Sequence, residues 1–207
     1  VAYNRYTLDK MKEKLNINDV TETFVPSALP VFQPSQNLLE NLQDAIGIGL
    51  FTEKSKSEHI IVPILKELRH KNPQRFSYFS GYPFNIDAKL DLKGYCDFIL
   101  SAVPNSLTID TPIFCMVEAK KGEIEEGFGQ CGAEMYAAQI FNQRHNNPQK
   151  VIYGCVINAF TWSFLKLEQN TLSIDPNYIP LTFSEPHKVL AVLQWILNSC
   201  LVERKTE

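Results

Sequence analysis

The stretch "IFCMVEAKKGEIEEGFGQCGAEMYAAQ", Ile113 to Gln139, decides how this chain is read. An unbroken apolar run from Ile113 to Val117 stops at Glu118; Lys120, Lys121 and Gly122 follow. A short apolar run closed by a turn signal reads as a strand covered on both faces. Side chains two apart in a strand share a face, so Glu118 and Lys120 project together and Ala119 points the other way. After Gly122 the spacing changes to a helical one and predicts a long helix from about Glu123 to Gln143. A buried strand thus carries a carboxylate and an amine to its end, and a helix then recrosses the sheet.

Working upstream, "GYCDFILS" (94–101) alternates as a strand, with Tyr95, Asp97 and Ile99 on one face. If it pairs with the Ile113 strand, Asp97 and Glu118 converge at one edge of the core. Two carboxylates meeting at a partly buried point repel each other, and one takes up a proton unless a cation neutralises them. A hard divalent ion such as Mg²⁺, with Mn²⁺ as a substitute, suits such oxygen ligands. Lys120 beside it would position or help deprotonate a water, or stabilise charge on a scissile phosphate. The other reading of the same residues is a salt-bridged pair at a strand end. Glu-x-Lys spacing alone does not choose between them. Asp87-Ala88-Lys89, Asp91-Leu92-Lys93 and the tail triplet Glu203-Arg204-Lys205 resemble it, but none closes an apolar strand.

The remaining elements follow from local signals. Residues 1–34 read as an N-terminal extension: a charged helix from about Thr7 to Leu15, then an extended connector carrying Pro26, Pro30 and Pro34. Residues 35–207 read as one domain. Ser35 is placed to cap a helix running to about Leu50. In "KSKSEHIIVPILKELRHK" (54–71), Ile61, Ile64, Leu65 and Leu68 form an apolar stripe whose face Glu58 is expected to share. That glutamate is either a carboxylate favoured by the helix dipole or one that points into a site. Pro63 should kink this helix or make it restart. "KVIYGCVINA" (150–159) and "TWSFLKLE" (161–168) read as strands, and 184–203 as an amphipathic helix with Ser184 as cap. Helix, three strands, helix, two strands and helix make an α/β sandwich around a mixed sheet.

The formal charge of −3 argues against a protein that grips DNA along its length, so any nucleic-acid contact must be local. The candidates are "KELRHKNPQR" (66–75), equally readable as a solvated helix end, and Lys120 with Lys121. Five cysteines without a CxxC pair predict free thiols in a reducing compartment and no structural zinc. The four histidines are scattered and read as surface or boundary residues. No apolar run is long enough for a membrane helix and no secretory leader is visible, so a cytoplasmic protein is expected.

Glu58, "GYCDFIL", "VEAKKG" and "GQCGAEMYAAQ" together resemble the PD-(D/E)xK nuclease superfamily, whose members share the restriction-endonuclease-like fold. The resemblance runs from about Ser57 to Asn158. It implies a three-layer sandwich, a mixed central sheet flanked by helices, built on a three-strand meander, a crossover helix and a further strand. It implies that Asp97 and Glu118 hold metal, joined by Glu58 from the helix, and that Lys120 is catalytic. Gln130 resembles a glutamine that some branches carry on the crossover helix, and the resemblance places it with Lys120 among the catalytic residues. Two positions depart from the pattern. Cys96 stands where a proline often precedes the first acid. Glu134 stands where exonuclease-like branches often carry tyrosine; one turn on from Gln130, it reads either as a support behind the site or as a surface residue, with surface preferred. The implied activity is Mg²⁺-dependent hydrolysis of phosphodiester bonds in DNA; a nuclease-fold module that binds without turnover is the alternative. A homodimer is expected if two strands are cut with one site per chain.

Overall fold

The structure, a computed structural model, describes residues 3–158 and 160–203. After a 3₁₀ turn at Tyr3–Arg5, its first α-helix is α1, Leu8–Leu15, whose N-cap Thr7 accepts the Lys10 backbone N–H. Strand β1 (Asn18–Thr21) and helix α2 (Gln36–Ala45, capped by Ser35) follow. Helix α3 (Glu53–Lys56) continues through a π-turn, Ser57–Ile61, into α4 (Val62–Lys71). Three strands come next: β2 (Ser77–Pro83), β3 (Tyr95–Ser101) and β4 (Ile113–Ala119). A 3₁₀ turn at Ile124–Gly127 leads into α5 (Phe128–Arg144). The chain finishes with β5 (Val151–Ile157), β6 (Thr161–Glu168), β7 (Thr171–Ile174), β8 (Ile179–Pro180) and α6 (His187–Glu203).

The eight strands form one mixed sheet in the order β1-β7-β6-β5-β4-β3-β2, with β8 on β6. β2, β3 and β4 are an antiparallel meander; α5 then crosses over, and β5 lies parallel to β4. Both faces of the sheet are covered. On one, α2, α4 and α6 pack over Val117, Cys155 and Phe164. On the other, α1 and α5 pack over Met116, Val156 and Leu165. Every residue of β4 is buried, which explains why it reads as an apolar run rather than an alternation. All five cysteines are free and buried. Among the described residues no helix is long and apolar enough to cross a membrane.

The structure corrects the reading of residues 1–34 as an extension. Tyr3 is fully buried and donates its hydroxyl to the Phe84 carbonyl at 2.8 Å. Met11, Leu15 and Ile17 belong to the core on the α5 face. β1 pairs in parallel with β7, adding a strand to the sheet. A Cβ at Gly129 would stand 2.5 Å from Thr7 backbone atoms, so this segment lies against α5 at a distance only glycine permits. The period-based reading missed β1, β7 and β8 because each is four residues or fewer. Arg204 and Lys205 of the tail, and Ala159 at the end of the strand expected over 150–159, lie outside the described residues.

If residues 3–21 are structural, Met11→Ala should lower stability by about 2–5 kcal/mol, the usual cost of truncating a buried side chain of this size. Chemical denaturation measures this, and an appendage outside the core would show no change.

Candidate active site

β4 carries Glu118 to the end of a central strand, where 3% of the residue is exposed. The Lys120 backbone N–H donates to the Ile157 carbonyl at 2.7 Å, which ties the following residue to β5. Lys120 Nζ lies 3.0 Å from Glu118 Oε1 and donates to Gln130 Oε1 at 2.7 Å. Gln130 Nε2 in turn donates to Glu134 Oε1 at 3.1 Å, one helical turn along α5. Helix α5 reaches this position because of Gly127. A Cβ there would stand 2.5 Å from Val156 Cγ1 and 3.0 Å from Lys120 Cγ. The glycine lets the helix start close against the lysine stem.

The antiparallel register that sets Phe98 opposite Val117 brings Asp97 to the neighbourhood of Glu118. Asp97 Oδ2 accepts the Ala119 N–H at 2.8 Å. The carboxyls are crowded and dry. Burial, reinforced by Asp97 and opposed by Lys120, pushes the Glu118 carboxyl up to about 8. Burial also raises Asp97, against the Ala119 hydrogen bond. Burial raises Glu134 far above the ordinary carboxylate range, and Glu118 adds to this. Burial pulls the Lys120 ammonium down, but the adjacent Glu118 outweighs it, so its net shift is upward. Two carboxylate oxygens, Glu118 Oε2 and Glu134 Oε2, are buried without a hydrogen-bond partner. Such atoms are costly unless something joins them.

Of the expected site residues, Asp97, Glu118, Lys120 and Gln130 come together and Glu58 does not. Glu58 is exposed and pairs with Lys54 at 3.8 Å. It lines a hollow of about 470 Å³ with Ser35, His59 and Glu67. The π-turn is the cause. Val62 N–H bonds to the Ser57 carbonyl, five residues back, and Pro63 has no N–H to offer the His59 carbonyl. The wider turn carries Glu58 off the face that Ile61, Ile64 and Leu65 share. The same helical run instead sends Lys56 inward, where its Nζ donates to the carbonyls of Lys120 and Lys121, both at 3.0 Å. Burial holds the Lys56 ammonium below its ordinary value. Glu53, at the first turn of α3, raises Asp97, Glu118 and Lys120 through space.

The structure also corrects Glu134, which is fully buried rather than on the surface. Its position four residues after Gln130 on α5 was the available signal. The look-alike acids serve elsewhere: Asp87 pairs with Arg144 and Asp91 with Lys14. In the basic run, Arg69 and Arg75 are engaged with the protein's own amides, at Asn105 and at Asn72 and Asn198. Among the described residues no three His, Cys, Asp or Glu side chains gather closely enough to hold a metal between them. Asp97 and Glu118 offer two carboxylates. No family model matches this chain, and no curated protein sequence matches it.

A carboxyl raised in the folded state binds its proton there at pH values where the unfolded chain has lost it, so its contribution to stability falls as pH rises. For Glu118 this window runs from the ordinary glutamate range to about 8. In metal-free buffer the wild type should therefore lose stability across it, and Glu118→Gln should lose less; denaturant midpoints against pH measure both slopes.

Proposed function

We propose that this chain is a metal-dependent nuclease of the restriction-endonuclease-like fold that hydrolyses phosphodiester bonds in DNA. The meander β2–β3–β4, the crossover helix α5 and the parallel β5 support the fold assignment. The observation that carries the activity is the placement of Lys120 between Glu118 and Gln130, beside a buried carboxylate oxygen with no donor and a second carboxylate, Asp97. A plain salt bridge satisfies its carboxylate; this one leaves Glu118 Oε2 bare in a site whose acids outnumber its lysine.

The donor set fits Mg²⁺, which is commonly held by one or two carboxylates with waters and substrate phosphates completing its shell. Asp97 and Glu118 would hold it. Bound there, the ion would neutralise the two acids and polarise a phosphoryl oxygen. The protein's own part is positional. The Lys120 ammonium has three N–H bonds; Glu118 and Gln130 take two, and the third is left for a phosphate oxygen. A fixed ammonium in a dry site stabilises charge that builds on phosphorus as a water attacks and the leaving oxygen departs. Lys56 holds the carbonyls of Lys120 and Lys121 and so keeps the lysine backbone still while this happens. Glu58 has no part in it.

Plasmid and single-strand cleavage in Mg²⁺, with titration calorimetry of the ion on the same samples, tests the proposal. Lys120→Ala should lower the cleavage rate about 10²–10³-fold with the fold intact. Glu118→Ala should remove both the heat of Mg²⁺ binding and cleavage. Cleavage that survives Lys120→Ala would sink the assignment. Mg²⁺ binding with no turnover of any substrate would favour the non-catalytic module.

A further inference from the structure

The amide of Gln130 has two chemically opposite ends of nearly the same shape. Its oxygen accepts and its nitrogen donates. Only one orientation serves Lys120. If the amide were reversed, its NH₂ would face the ammonium and two donors would meet in a site with little water. The Lys120 ammonium, a donor only, selects the oxygen from its own side, and a group at the far end of the amide can hold the same orientation by accepting from the nitrogen. That group is Glu134, whose Oε1 accepts the Gln130 Nε2 hydrogen at 3.1 Å and thereby turns Oε1 toward Lys120.

The cost of this arrangement shows that it is not filler. Helix α5 buries Ala133, Met135, Ala137 and Ala138 around Glu134. An apolar side chain at 134 would suit that setting, whereas a buried carboxyl with one bare oxygen is expensive. The acceptor is therefore what the position supplies. The polar chain is continuous: Glu134 accepts from Gln130, Gln130 accepts from Lys120, and Lys120 faces Glu118 at 3.0 Å.

We propose that Glu134 is a positioning residue that fixes the polarity of the Gln130 amide and so sets the direction of the Lys120 ammonium. The inference rests on the reading of Lys120 as the charge-stabilising group, but its geometry can be tested without turnover. Glu134 touches no reacting atom. It acts through Gln130, as outer partners of reactive groups do when they orient a ligand or donor.

The test uses the full chain with ¹⁵N-labelled lysine, and the Lys120 ammonium signal is assigned by its loss in Lys120→Ala. Wild type should show a resolved, slowly exchanging signal because two of its hydrogens are held. Glu134→Leu should broaden or erase it. Glu134→Gln should keep it, since a glutamine oxygen can still accept from Gln130. The exchanged pair, Gln130→Glu with Glu134→Gln, should also recover it, whereas Gln130→Glu alone sets two carboxylates face to face and should lose it. In cleavage assays Glu134→Leu should lower kcat about 10–100-fold with KM little changed, and Glu134→Gln should restore most of the loss. A Lys120 signal and kcat unchanged in folded Glu134→Leu would overturn the proposal. So would a Glu134→Gln variant no better than Glu134→Leu. If the wild type cleaves nothing, the nuclease reading fails and the lysine signals alone decide whether Glu134 sets the amide.

Discussion

The pairing of Glu118 with Lys120 at the end of a doubly covered strand is the constraint on which the rest of the site depends. A carboxylate that far from water needs a counter-charge, and the next side chain on the same face supplies it. One lysine does not balance the neighbourhood, since Asp97 and Glu134 press on the same charge. Each nearby element answers part of this demand. α5 brings Gln130 to the ammonium, and Gly127 lets the helix begin close enough to do so. α3 sends Lys56 to hold the two carbonyls after β4.

Burial on both sides of the sheet makes this electrostatics strong. With α4 and α6 on one face and α1 and α5 on the other, the polar chain from Glu134 to Glu118 has apolar neighbours above and below. The N-terminal segment takes part as well. Tyr3 sits fully buried at the α5 face, where Glu134 raises its hydroxyl further than burial alone. Residues far from Lys120 in sequence therefore help to keep its surroundings dry.

Much of this was legible in the sequence because β4 states its own environment. An apolar run that ends on Glu118 and Lys120 reads as a covered strand, and the alternation of 94–101 puts Asp97 beside it once the two strands pair. Gln130 was singled out by the family resemblance, on the helix predicted after Gly122. Glu58 failed for a local reason: the 3.6-residue period assumed for its helix is broken by the π-turn before Pro63. Glu134 failed for a distant one. Whether a residue of α5 is buried depends on what covers the helix; part of that cover is the segment from Tyr3 to Leu15, read as an appendage, and its Tyr3 lies near enough to Glu134 to feel its charge. Periodicity describes one element at a time and carries no record of which remote segment closes over it.

The pairing of β1 with β7 has a consequence for the order in which the molecule is made. The Phe24 backbone N–H, just past β1, bonds to Asp175, 151 residues later in the chain. On a ribosome, Met11, Leu15 and Ile17 are synthesised early but have nothing to dock on until α5 and β7 have been made. Contacts of such long sequence separation form late, and the apolar residues that await them stand open to chaperones and to aggregation in the interval. The segment is thus made well before the helix and the strand that receive it.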